Sequence, residues 1–290
     1  MIQFAGSSIN DPWHDEQWQY IRKNIGEWHG WFRQFSPEAV WERDTPSTLT
    51  LREDCLNQHM TLVLKRTPEG MPTQTMERDL GFPGAAPYLC FFPTGAFSQG
   101  APQRRPWSSF GAEFSLLSEQ RRLRLVQLYK GTANGDHVLE YVTLIPEYRS
   151  TGRSERTLPD RYLQLNDFLG TWRGESLYLP ATMVTPQLGT SYWQAQDSEA
   201  ELVISDKTFI HEAVQSFQPI DPHRWQAGLV QYWLLPGNVS CTVYPQLPRN
   251  HCARLEFCWY LLPHRRQRIV RDYDEQGNWI GTFLSLETRV

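Results

Sequence analysis

Apolar and polar residues alternate with a period close to two along most of this chain. Residues 49–52, 59–65, 123–129, 138–145, 201–204, 228–235 and 279–286 all carry the strand pattern. Turn-forming clusters at residues 67–70, 134–136 and 275–278 separate them. A helical period shows in only two places. Trp13, Trp18, Ile21 and Ile25 recur at helical spacing after Asp11-Pro12, where aspartate caps and proline suits the first turn. Tyr162, Leu165 and Phe168 predict a second helix over 159–168. Short strands in series, with few helices, predict antiparallel barrels or sandwiches. Residues 81–107 hold Pro83, Pro87, Pro93, Pro102 and Pro106 with Phe82, Tyr88, Phe91, Phe92 and Phe97, and predict one short strand, 88–92, framed by loops.

The pattern occurs twice, about 144 residues apart. Gly26-Glu27-Trp28-His29-Gly30 answers Gly170-Thr171-Trp172-Arg173-Gly174, and Arg121-Arg122-Leu123-Arg124-Leu125-Val126 answers Arg265-Arg266-Gln267-Arg268-Ile269-Val270. Phe91-Phe92-Pro93 pairs with Leu234-Leu235-Pro236, Glu113-Phe114 with Glu256-Phe257, and Glu147-Tyr148-Arg149 with Glu287-Thr288-Arg289. A period this long calls for a complete domain per half. The polar stretch around 150–156 places the boundary there, giving domains 1–150 and 151–290.

Composition narrows the function class. The 290 residues suit two ordinary domains. A net charge of −4 and a pI near 6.1 give no reason to expect nucleic acid or an anionic membrane as partner. No apolar run approaches the length of a transmembrane helix. The five cysteines are odd in number and irregularly spaced, and the first residues lack a signal-peptide pattern, so the expectation is a cytoplasmic protein with reduced thiols.

A short helix, Gly-x-Trp on the first strand, and a run of antiparallel strands ending in an arginine resemble the lipocalin, or calycin, barrel. In that resemblance Trp28 packs with Arg149, and Trp172 with Arg289, to close each base. Residues 92–100, Glu113-Phe114, residues 121–126 and Tyr129 are similar to a lipocalin-like family found mainly in cyanobacteria. That family has no settled function and is similar in fold to the bilin lyases that attach linear tetrapyrroles to phycobiliproteins. The expected fold is therefore all-β: two tandem lipocalin-like antiparallel β-barrels, each preceded by a short helix. The second half departs from the family at Pro236-Gly237 and at Gln267.

An eight-stranded barrel either fills with side chains or holds one small ligand. An aromatic content of 13% with 12 tryptophans would serve either a packed core or the walls of a planar apolar site. Strand alternation puts Arg122 and Arg124 on one face and Leu123, Leu125 and Tyr129 on the other. Inside a barrel mouth, Arg122 with Arg124 and Arg266 with Arg268 would clamp a ligand carboxylate; outside, they would be solvent-facing charges over a buried leucine row. Glu113 and Glu256 would join them, with Phe92 and Phe97 on the apolar rim. The expected role is carriage of an apolar, carboxylated pigment such as a bilin, or of a lipid, with a photosynthetic protein as a candidate receiver and no cofactor.

The alternative is a lyase, isomerase or cyclase in which Glu113 with Tyr129, or Glu256 with Tyr273, moves protons. His211-Glu212 starts like a zinc-protease motif, but Gln215 stands where the second histidine belongs, and His251, Cys252, Cys258 and His264 are too irregular for a closed zinc site. No metal is expected. Neither a phosphate-binding glycine loop nor a Gly-x-Ser-x-Gly elbow occurs.

Overall fold

The computed structural model describes residues 12–56, 59–81, 88–150, 160–182, 186–198 and 201–290. The first sheet follows α1 (Pro12–Arg22) and comprises β1 (Gly26–Phe35), β2 (Trp41–Cys55), β3 (His59–Arg66), β4 (Gln74–Gly81), β5 (Leu89–Phe91), β6 (Phe97–Gly100), β7 (Phe110–Ser118), β8 (Arg121–Gly131) and β9 (His137–Arg149). After α2 (Leu165–Phe168) come β10 (Gly170–Pro180), β11 (Gln187–Ser198), β12 (Glu201–Thr208), β13 (Glu212–Asp221), β14 (Arg224–Ala227), β15 (Val230–Leu235), β16 (Val239–Val243), β17 (Gln246–Leu247), β18 (Ala253–Leu262), β19 (Arg265–Tyr273) and β20 (Trp279–Arg289).

The described residues are all-β apart from the two short helices, as the period-two pattern predicts. Strands β10 to β16 and β18 to β20 form a closed antiparallel barrel. The first sheet runs β4-β3-β2-β1-β9-β8-β7-β6-β5 and curls into a half-barrel. Among the described residues no ladder joins β4 to β5, so this barrel has an open side. Phe82, Pro83 and Pro87, the Asp11 cap and residues 151–159, which hold the expected domain boundary, lie outside the described residues. One sheet ends at Arg149 and the next begins at Gly170, an arrangement for which we propose the division 1–150 and 151–290.

The second helix is shorter than its periodicity predicts. Only residues 165–168 are helical, because the preceding segment is tied to the barrel instead: Leu163 N–H donates to Leu235 O at 3.0 Å, and Gly237 N–H donates to Arg161 O at 3.1 Å. Strands β4, β7, β11, β13, β16 and β18 lie outside the segments that the pattern predicts as strands; β4 and β13 among them are almost wholly exposed, with too few apolar residues to mark a face clearly.

The two sheets are fused along their outer faces. A single hydrophobic cluster contains Phe114, Leu123 and Leu125 of the first half and Phe257, Trp259 and Ile269 of the second. Polar groups lock the seam. Gln127 Nε2 donates to Thr242 O at 2.7 Å and Gln267 Nε2 donates to Leu117 O at 2.8 Å. Strand β17, from the second half, pairs with β9 of the first through Gln246↔Val138 and Leu247↔His137.

Candidate functional site

Each barrel floor is built around the tryptophan of Gly-x-Trp. Trp28 is fully buried, with the Arg122 guanidinium 4.4 Å from its ring centre and that of Arg149 at 4.6 Å. Trp172 is flanked in the same way by Arg266 at 4.5 Å and Arg289 at 4.9 Å. Arg149 and Arg289 also donate to backbone carbonyls, of Lys23 at 2.7 Å and of Leu169 at 2.6 Å respectively, fastening the entering segment to the floor.

The arginine strands settle which way their side chains face. On β8, Arg122 and Arg124 point into the barrel, while Leu123, Leu125, Gln127 and Tyr129 are buried against the second half. Both faces of the strand are thus buried, which excludes solvent-facing arginines. The arginine pair is, however, already holding a carboxylate. Glu147, on the adjacent strand β9, accepts from Arg122 Nε at 2.7 Å and from Arg124 Nε at 2.9 Å and Nη2 at 2.8 Å. Glu113 takes the remaining corner, accepting from Arg124 Nη1 at 2.8 Å. Asn24, at the end of the helical segment, accepts from Arg122 Nη1 at 3.3 Å. Burial pushes the Glu147 carboxyl up, but the charges of Arg122 and Arg124 outweigh this and hold it at about 2.

The second barrel repeats the network. Glu287 accepts from Arg266 Nε at 2.7 Å and Arg268 Nε at 3.1 Å, and Glu256 accepts from Arg268 Nη1 at 3.0 Å. Glycines make room for it. A Cβ at Gly30 would lie 2.1 Å from Pro146 O and 2.8 Å from Glu147 Cγ, and one at Gly174 would lie 2.1 Å from Leu286 O. The second glycine of each Gly-x-Trp-x-Gly therefore lets β1 and β10 approach the strand that carries the buried glutamate.

Above the first network lies a cavity of about 260 Å³. Its walls are Leu49 and Leu51 of β2, Leu62 and Leu64 of β3, Met76 and Leu80 of β4, and Phe91 and Phe97 facing them across the open side. The polar end is formed by Gln99, Glu113, Arg122 and Arg124, with Arg78 on the wall. Arg78 is exposed and has no hydrogen bond or ion pair among the described residues.

The second barrel encloses about 400 Å³ with a lining that includes Asp206, His211, Tyr232, Arg254, Glu256 and Asp272. Asp206 accepts from Arg268 Nη2 at 2.9 Å, and Asp272 from Arg254 Nη1 at 2.8 Å. Burial alone would raise the Asp206 carboxyl, but Arg268 and Arg254 hold it at about 2.

Several sequence expectations need correction. Phe92 is fully buried in the core shared by the two halves rather than at a rim; its neighbour Phe91 lines the cavity with Phe97, since strand neighbours face opposite ways. Tyr129 faces away from Glu113. Its hydroxyl donates to Gln127 Oε1 at 2.9 Å and accepts from Tyr244 N–H at 3.3 Å, at the seam between barrels, so the two cannot act on one substrate. Tyr273 likewise donates to Ala101 O at 3.0 Å, and the hydroxyl beside Glu256 is that of Tyr232, at 2.7 Å. Arg266 and Arg268 do not border the second cavity. Both are sealed beneath it, Arg266 between Trp172 and Trp193. Glu147 and Glu287, each two residues before the closing arginine of its half, are the partners that the repeat alone points to, because a repeated buried arginine pair demands a repeated carboxylate. Among the described residues no three His, Cys, Asp or Glu side chains converge to hold a metal ion, and no helix is long and apolar enough to cross a membrane.

Residues 14–152 match the family model described as domain of unknown function DUF3598, N-terminal. Residues 159–290 match another, described as the C-terminal domain of biogenesis factor required for ATP synthase 1. No curated protein matches the chain. A crystal structure of a protein of unknown function from the DUF3598 family of Nostoc punctiforme PCC 73102 is 32% identical, with a TM-score of 0.82 over 94% of this chain and 99% of that one. An S-type phycobiliprotein lyase, CPES, from Guillardia theta is 10% identical, with a TM-score of 0.33 over 43% of this chain and 89% of that one, too distant to argue from. The agreement in sequence and fold along nearly the whole length of the Nostoc protein makes this chain a member of the DUF3598 family.

Proposed function

We propose that this protein is a binding protein whose first barrel carries a slim apolar molecule with a carboxylate at one end. The observation that carries this reading is Arg78: a cation without a partner among the described residues, set in the wall of a leucine-, methionine- and phenylalanine-lined cavity. Arg122 and Arg124 support the site from below, but Glu147 occupies the clamp that a ligand would need. At about 260 Å³ the cavity falls just below the roughly 300–1,000 Å³ of pockets that enclose drug-sized ligands, which favours an acyl chain over a whole linear tetrapyrrole. In the first barrel Tyr129 and Glu113 face opposite ways, which favours binding over proton transfer there.

Titration of the full chain with dodecanoate and with dodecanol, followed by calorimetry, tests this. Dodecanoate should bind at one site and more tightly than the alcohol, and Arg78→Ala should remove most of that preference, about two- to fivefold for an exposed ion pair. Equal binding of acid and alcohol, or no binding of either, would overturn the reading.

The match of residues 159–290 to a family model named for ATP synthase biogenesis favours a second reading, a factor that binds a subunit of that enzyme during its assembly. Co-migration of the full chain with purified ATP synthase subunits on gel filtration would support it, and its absence with every subunit would sink it.

A further inference from the structure

The cavity of the second barrel is chemically unlike that of the first, and the register shows where the two diverge. Trp28 pairs with Leu49, which pairs with Leu64; Trp172 pairs with Trp193, which pairs with Asp206. Asp206 therefore stands where the first barrel has Leu64. By the same reasoning Glu113↔Val126 corresponds to Glu256↔Val270, so the neighbouring pair Gly111↔Leu128 is replaced by Arg254↔Asp272. Three uncharged positions have become two aspartates and one arginine.

The shared set of two arginines and two glutamates is neutral in each barrel. The three additions leave the second with one negative charge in excess. Arg254 bridges Asp272 and, at 3.4 Å, Asp206, so three arginines, Arg254, Arg266 and Arg268, face four carboxylates, Asp206, Asp272, Glu256 and Glu287. Three of the four, Asp206, Asp272 and Glu256, border the cavity. His211 also lines it, but burial and the nearby Arg254 lower its pKa, so it is neutral at pH 7 and does not supply the missing charge. Apolar residues complete the lining: Ile204, two positions from Asp206 on β12, with Phe217 and Val230. A buried charge is stable only when it is paired.

We infer that the second cavity is a separate binding site for a small organic monocation, a primary amine whose ammonium group lies at Asp206 and Glu256 and whose apolar body rests on Ile204, Phe217 and Val230. An organic cation fits better than a metal ion, since no three ligating side chains converge among the described residues. The site is independent of the carboxylate-binding reading of the first barrel and differs from it in sign.

Isothermal titration of the full chain at pH 7 with 2-phenylethylammonium, in the presence and absence of 3-phenylpropionate, tests it. The amine should bind with a stoichiometry of one, and the carboxylate of the same shape should not displace it. Glu256→Gln keeps a hydrogen-bonding group beside Tyr232 and Arg268 while cancelling the excess charge, and should weaken the amine at least about tenfold. Ala213→Phe, which extends a ring into the cavity from the position paired with Asp206, should abolish amine binding. Failure of the unmodified protein to bind the amine, displacement by phenylpropionate, or amine binding unchanged in both variants would overturn the proposal.

Discussion

Replacing Glu147 by glutamine should be among the most damaging isosteric changes in the first barrel. The side chain is fully buried and makes three charge-assisted hydrogen bonds to two arginines. Arg124 would retain Glu113, but Arg122 would be left with Asn24 and the Trp28 face. Removing one partner from a buried ion pair costs about 3–5 kcal/mol, mainly because the other charge stays buried without compensation. Proton linkage gives a similar size. A carboxyl held at about 2 rather than its ordinary 4.5 contributes roughly 3 kcal/mol at neutral pH. Because the folded value is the depressed one, this contribution is complete above pH 4.5 and is lost as the pH falls toward 2. Urea unfolding followed by tryptophan fluorescence at pH 7 should show Glu147→Gln less stable by about 3 kcal/mol, with the gap shrinking to under half by pH 3. A loss below about 1 kcal/mol at pH 7, or a gap independent of pH, would refute the assignment of Glu147 as the charged centre of the barrel floor.

Glu113→Gln, by contrast, removes a partly exposed carboxylate with one arginine contact and should cost about 1 kcal/mol or less in the same assay. Gly30→Ala drives a methyl group into Pro146 O and the Glu147 side chain, and should destabilise by about 3 kcal/mol; a neutral effect on the urea midpoint would show that β1 and β9 can separate there. Arg289→Ala loses the cation above Trp172 and the bond to Leu169 O, a cost of about 2 kcal/mol read from the thermal midpoint. With Ellman's reagent, the native protein should show two fast thiols, Cys55 and Cys252, and three slow ones. Burial raises the pKa of Cys90 and Cys241 and pushes that of Cys258 up to about 12, so a third fast thiol would contradict the packing at the seam.

The strand character of the chain, the helical turn carrying Trp18 and Ile21, and the twofold recurrence of Gly-x-Trp with its arginine strand are local patterns, and a period of two or 3.6 residues is legible without knowing any partner. So was the alternation that sets Arg122 and Arg124 against Leu123 and Leu125. Which face is the interior was not legible, because both are buried: one by the barrel and one by its twin, and periodicity reports burial only as a contrast between faces. The partners of the arginines lay equally out of reach. Glu147 is 25 residues from Arg122 in the chain, Asp206 is 62 from Arg268, and their pairing depends on strand order and register. The same holds for the cavities. Arg78, on a polar strand, and Arg254, on an apolar one, look like ordinary charges until curvature carries one to an apolar wall and the other to a carboxylate-rich one, and curvature is a property of the closed or nearly closed sheet, absent from any single segment.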